Sequence, residues 1–275
     1  MLREKKGGEM TILIPVLTLG GLGLAFGLFL TYAAKKFHVE VDPRVEKILE
    51  VLPGANCGAC GAPGCEGFAV GVVEGRYPVH GCVAGGKEVA EKIAAIMGVE
   101  AGEVERRIAV VRCRGDRENA PRLAEYQGVK SCKMLDLIGG DKGCVYGCLG
   151  LGDCVEACPF EAIYMGENGL PVVIEERCTG CGECVRACPR GIMDLIPHNQ
   201  LVYVACVSPE RGQDVTKVCK TGCIGCSLCA RLAPEEKITM DGFLPVVHHE
   251  KIENYDDLNT AVEKCPTKVL IRRNA

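Results

Sequence analysis

Twenty cysteines carry most of the chemistry open to this 275-residue chain, and 14 of them fall into four tight groups. These are Cys57-x2-Cys60-x4-Cys65, Cys144-x3-Cys148-x5-Cys154-x3-Cys158, Cys178-x2-Cys181-x2-Cys184-x3-Cys188 and Cys223-x2-Cys226-x2-Cys229. Disulfide partners need about 4.4–6.8 Å between Cα atoms, a geometry that close neighbours in sequence rarely reach. Grouped thiols therefore point to metal ligation in a reducing compartment. No other chemistry competes: there is no GxGxxG after a strand, no P-loop and no Ser-His-Asp set. His38, His80, His198, His248 and His249 follow no metal-ligand spacing and read as surface or structural residues.

Each group has a different completeness. Cys57, Cys60 and Cys65 sit in NCGACGAPGCEGFA, and Cys82 follows after a gap of 16 residues. Three thiolates on one glycine-rich loop plus a remote fourth suit the corners of a 4Fe-4S cube, whose sulfides accept backbone N–H groups. Structural zinc more often takes two paired knuckles. Farther on, Cys154-x3-Cys158-Pro159 recurs 30 residues later as Cys184-x3-Cys188-Pro189. The second copy is a full bacterial ferredoxin run, in which the fourth cysteine ligates the neighbouring cluster. Spacing thus predicts one set of Cys158, Cys178, Cys181 and Cys184, and another of Cys144, Cys148, Cys154 and Cys188. The gaps after Cys144 and Cys148 are one and three residues wider than the pattern.

A further copy is half erased. The phrase Ile163-x-Met165 to Pro171-Val172-Val173, with a hairpin turn at Asn168-Gly169, returns as Ile238-x-Met240 to Pro245-Val246-Val247. Around the second phrase, Cys223, Cys226, Cys229 and Cys265 are kept, while Ala233 stands where a cross-ligating cysteine belongs and residues 250–261 lack a CxxCxxC. One whole site is lost and the other is whole. Cys113, Cys132, Cys206 and Cys219 remain, the number a fifth cubane needs; buried free thiols or a zinc site would account for them equally in kind.

The elements that must carry these ligands can be read around them. Met10 to Ala34 holds no charge over 25 residues and is followed by Lys35 and Lys36. As a helix it reaches about 37 Å, enough for the ~30 Å hydrocarbon core, and it is too long for a signal-peptide core of 7–15 residues. Lys35, Lys36, Arg44 and Lys47 favour a cytoplasmic C-terminal side; Arg3, Lys5 and Lys6 oppose it unless synthesis starts at Met10. Gly23 and Gly27 form a GxxxG stripe, which suits either close helix packing or a plain anchor. No ionisable side chain lies within the span to build an ion path. Residues 39–52 carry apolar side chains at helical spacing up to Pro53-Gly54, and LVYVAC (201–206) reads as a strand. Without the cysteines and the apolar run, the chain falls below the ~45–50% apolar content of ordinary domains, so metal sites must supply cohesion. A net charge of -4 argues against nucleic acid. Arg106, Arg107, Arg112, Arg114, Arg117 and Arg122 read as a solvated face before they read as a dock for an acidic protein.

One membrane helix, a CGACGAPGC domain and bacterial-type ferredoxin units together resemble the B subunit of the Rnf complex, the ion-translocating ferredoxin:NAD oxidoreductase. GCVYGCLGLGDCVEACPFEAI resembles its long, ferredoxin-rich form, and the likeness spans essentially the whole chain. The resemblance implies an α+β protein that accepts electrons from soluble ferredoxin and relays them through 4Fe-4S clusters to partner subunits. Those subunits hold the flavins, the NAD site and the sodium or proton path, so no flavin or NAD is expected on this chain. Its expected divisions are residues 1–36 (tail and transmembrane helix), 37–100 (four-cysteine domain), 101–140 (connecting segment), 141–200 (two-cluster ferredoxin-like unit) and 201–275 (degenerate unit). Two rivals remain: a membrane-tethered polyferredoxin component of a hydrogenase or other anaerobic oxidoreductase, and a zinc-binding membrane adaptor.

Overall fold

A computed structural model describes residues 4–37, 42–102 and 105–273, with side chains of the first helix described from Ile14 onward. His38 and the first residues of the 39–52 segment lie outside the described residues. The chain divides into two compact units, Met1–Pro43 and Arg44–Ala275.

The first unit is α1 (Glu4–Lys36), which runs through Pro15. Proline removes one helical hydrogen bond, and the Thr18 hydroxyl one turn on donates back to the Ile14 and Pro15 carbonyls at 2.9 and 3.0 Å. Among the described residues, Ile14–Lys36 is the one helix long and apolar enough to cross a membrane, with a mean hydropathy of 1.9. Its leucines and phenylalanines are exposed, and a Cβ added at Gly23 or Gly27 would meet nothing within 4 Å.

The second unit opens with α2 (Pro43–Val51), α3 (Cys65–Val73) and α4 (Gly86–Met97). They bury Val45, Ile48, Phe68, Val72 and Ile93 in one core against Cys82. Two copies of a strand pattern follow. In the first, β1 (Arg107–Val111) pairs antiparallel with β4 (Met193–Pro197), enclosing the hairpin of β2 (Ile163–Met165) and β3 (Pro171–Val173). In the second, β5 (Val202–Val204) pairs with β8 (Leu270–Arg272), enclosing the hairpin of β6 (Ile238–Asp241) and β7 (Leu244–Val247). Both hairpin phrases form paired strands. Short helices lie within or next to the ligand runs: α5 (Cys132–Leu137), α6 (Asp153–Glu156) and α7 (Glu183–Ala187) in the first copy; α8 (Gly212–Val218), α9 (Leu228–Leu232) and α10 (Asn259–Glu263) in the second.

The first ferredoxin-like copy therefore begins at β1, inside the segment expected to be a connector. An insertion between β1 and Cys144 hid the strand from its repeat. The arginines around β1 are largely engaged within the molecule. Arg112 pairs with Asp194 at 3.1 Å and Arg122 with Asp141 at 2.7 Å. Arg106 donates to the Glu175 carbonyl at 3.0 Å, and Arg114 to that of Lys268. They fasten β1 and the insertion to the two copies.

Candidate iron-sulfur sites

The thiols gather in five sets of four. Cys57, Cys60, Cys65 and Cys82 line one pocket. Its loop turns through Asn56, whose Oδ1 accepts the Cys65 N–H at 2.8 Å and so starts α3 at a ligand. Gly64 has φ +95° and an added Cβ would come within 2.9 Å of that same oxygen, so glycine is required there. Burial raises the Cys82 thiol, and the sulfurs of Cys60, Cys65 and Cys57 push it the same way.

Cys158, Cys178, Cys181 and Cys184 form the set of the complete run. Burial pushes Cys184 up to about 12, with Cys178, Cys181 and Cys158 as its charged neighbours. Backbone N–H groups of Ala162 and Ala109 donate to the sulfurs of Cys158 and Cys178, each at 3.3 Å. Cys223, Cys226, Cys229 and Cys265 line a second pocket, in the second copy. Ala233, in the place of a lost ligand, is buried in the core of that copy.

The remaining two sets differ from spacing alone. Cys132, Cys148, Cys154 and Cys188 line one pocket, while Cys113, Cys144, Cys206 and Cys219 line another. Cys132 and Cys144 have exchanged places relative to the sets the spacing predicts. Two side chains account for it. Asp153, at the start of α6, accepts the N–H of Cys132 at 2.6 Å, the N–H of Lys133 at 3.2 Å and the Ser131 hydroxyl at 2.9 Å, which docks the head of α5 beside Cys154. Burial opposes the charge of Asp153, but these donors prevail and hold its carboxyl below the usual range. Arg190, whose side chain is only 6% exposed, pairs with Asp136 at 2.7 Å and donates to the carbonyls of Gly139, Cys144 and Gly147 at 3.0, 3.4 and 3.0 Å. With its carbonyl held there, Cys144 presents its sulfur to the cavity of Cys206 and Cys219, which add to the upward push of burial on its thiol.

Burial raises the thiols of Cys148 and Cys154 to about 12, so unligated they would be protonated and poor nucleophiles. Among the described residues, no three His, Cys, Asp or Glu side chains converge as ligands of a single ion. Zinc–sulfur bonds of about 2.3 Å would need such convergence. Four of the five sets instead line pockets of their own, with backbone N–H groups aimed at several sulfurs, as cubane clusters require.

Ferredoxin-like strand pairs and four-thiol sets together define an iron-sulfur electron-transfer protein. Residues 52–84 match a family model described as an Fe-S cluster, and residues 144–193 one described as a 4Fe-4S dicluster domain. The chain is 42% identical over 256 residues to the B subunit of an ion-translocating oxidoreductase complex of Methanosarcina acetivorans, covering 93% of this chain and 96% of that protein. It is 44% identical to the B subunit of a Na(+)-translocating ferredoxin:NAD(+) oxidoreductase complex of Acetobacterium woodii, over 93% and 76% of the two chains. The B subunit of a proton-translocating ferredoxin:NAD(+) oxidoreductase complex of Clostridium ljungdahlii is 42% identical, over 94% and 91%. The chain belongs to this family, the B subunits of ion-translocating oxidoreductase complexes of the Rnf type.

Proposed function

We propose that each of the five sets holds one 4Fe-4S cluster and that the chain relays electrons from reduced ferredoxin to the other subunits of its complex. A bound cluster supplies reversible one-electron transfer. What the chain supplies is order, and the observation that carries the reading is that the sets neighbour one another in a single series. Cys57 of the first set is a charged neighbour of Cys181, and Arg186 beside that set donates to the Cys57 carbonyl at 3.2 Å. Cys184 in turn acts on Cys154. The Cys148 N–H donates to the Cys113 sulfur at 3.5 Å, and Cys206 acts on Cys223. The series thus runs from the four-cysteine domain through the complete run, the Cys132 set and the Cys113 set to the C-terminal copy. In this reading the 101–140 segment, expected as a connector contributing Cys113 and Cys132, also gives the first ferredoxin-like unit its strand β1. The basic residues following α1 favour the iron-sulfur unit on the cytoplasmic side.

Anaerobic purification of the full chain should give about 20 iron and 20 labile sulfide per chain, all reducible by stoichiometric reduced ferredoxin. About 16 of each would remove one site. Zinc in place of iron would overturn the reading.

A further inference from the structure

Lys142 is a buried cation, 6% exposed, at the place where two thiol sets meet. A backbone bridge between Arg122 and Lys142, with the Leu123 N–H on the Asp141 carbonyl at 2.7 Å, fixes its position. Asp141 pairs with Arg122. The Lys142 Nζ donates to the Gly115 carbonyl at 2.8 Å, and among the described residues no carboxylate lies within 4 Å of it. Asp116 is within its electrostatic reach, but the Asp116 Oδ1 is taken by the N–H groups of Glu118 and Asn119 and the Asn119 amide. An ammonium buried against one carbonyl is unfavourable unless nearby anionic charge compensates it. The charge on offer belongs to the two sets: the N–H of Gly115, the residue whose carbonyl holds Lys142, donates to the Cys113 sulfur at 3.3 Å, and the Cys148 N–H donates to that same sulfur at 3.5 Å.

Resting on the five-cluster reading above, we propose that Lys142 is a positioning charge that raises the reduction potential of the clusters held by Cys132, Cys148, Cys154 and Cys188 and by Cys113, Cys144, Cys206 and Cys219. A cluster gains one negative charge when reduced, and a fixed cation in a poorly polarisable surrounding stabilises that state more than the oxidised one. The third and fourth sites of the series are thereby shifted together relative to the other three.

The test is an EPR-monitored redox titration of the anaerobically purified full chain, with iron and sulfide counted on the same samples. Lys142→Met should keep the wild-type count and move two clusters to lower potential by about tenfold in their oxidised-to-reduced ratio, about 59 mV for one electron. Lys142→Arg should restore both. Unmoved potentials at full iron content overturn the proposal. If the Met variant loses iron, Lys142→Gln, which keeps a donor for the Gly115 carbonyl, is read in its place. Lowered potentials then uphold the role of charge; unmoved potentials, or an iron loss that Lys142→Arg shares, overturn it. A wild-type count of 16 irons or fewer would strike the five-cluster reading itself, a result distinct from either.

Discussion

The two ligand runs of the first ferredoxin-like copy were built to one plan and now choose ligands by different means. In the complete run, Cys178, Cys181 and Cys184 are fixed by short gaps and receive Cys158 from the neighbouring run, so spacing alone names the set. In the widened run, the extra residues after Cys144 and Cys148 leave the loop free to be shaped by tertiary contacts. Asp153 then draws in Cys132, and Arg190 turns Cys144 toward the next cavity. A tight motif specifies its own ligands, whereas a loosened one leaves the choice to the polar groups around it.

If that contrast is sound, the widened run should depend on its two polar clamps. Arg190→Met removes a buried guanidinium from Asp136 and three carbonyls, and should cost about 3–5 kcal/mol in chemical denaturation. It should also loosen both sets that exchange a ligand while sparing the Cys57 set. Asp153→Ala strips a charged acceptor from two N–H groups and a hydroxyl, a loss of about 2–3 kcal/mol, with faster iron release from the Cys132 set alone under a chelator. In the complete run the backbone carries the burden instead. Gly180 has φ +73° and an added Cβ would collide with the Arg107 carbonyl oxygen, so Gly180→Ala should destabilise by about 1–3 kcal/mol and disturb the Cys178 set. The smallest effect is expected at Arg186, an exposed side chain paired with Glu183 and resting on the Cys57 carbonyl. Arg186→Met should change stability by less than about 1 kcal/mol. A larger loss there would mean that the complete run also leans on side-chain clamps, and the contrast would fail.

How much of this was legible in the sequence follows from the same physics. The apolar run, the hairpin phrases and the tight cysteine groups are local signals, and α1, the β2–β3 and β6–β7 pairs and the Cys57, Cys158 and Cys223 sets follow them. Strand β1 was not legible as part of the ferredoxin-like sheet because its partner β4 lies more than 80 residues away, beyond a segment longer than the stretch with α8 that follows β5 in the second copy. The exchange of Cys132 and Cys144 was hidden because it depends on Asp153 and Arg190, whose roles appear only when distant segments meet. Lys142 gave no signal at all, being one lysine among 32 basic residues.

The exchange of ligands is the central claim, and iron counting on paired substitutions tests it most directly. Two thiols that serve one cluster cost that cluster once, whereas thiols that serve two clusters cost both. Cys132→Ser combined with Cys148→Ser should lose about four irons relative to the full chain, and Cys144→Ser combined with Cys148→Ser about eight. The opposite result, with the Cys144 pair losing four and the Cys132 pair eight, would return both cysteines to the sets that spacing assigns and contradict the account.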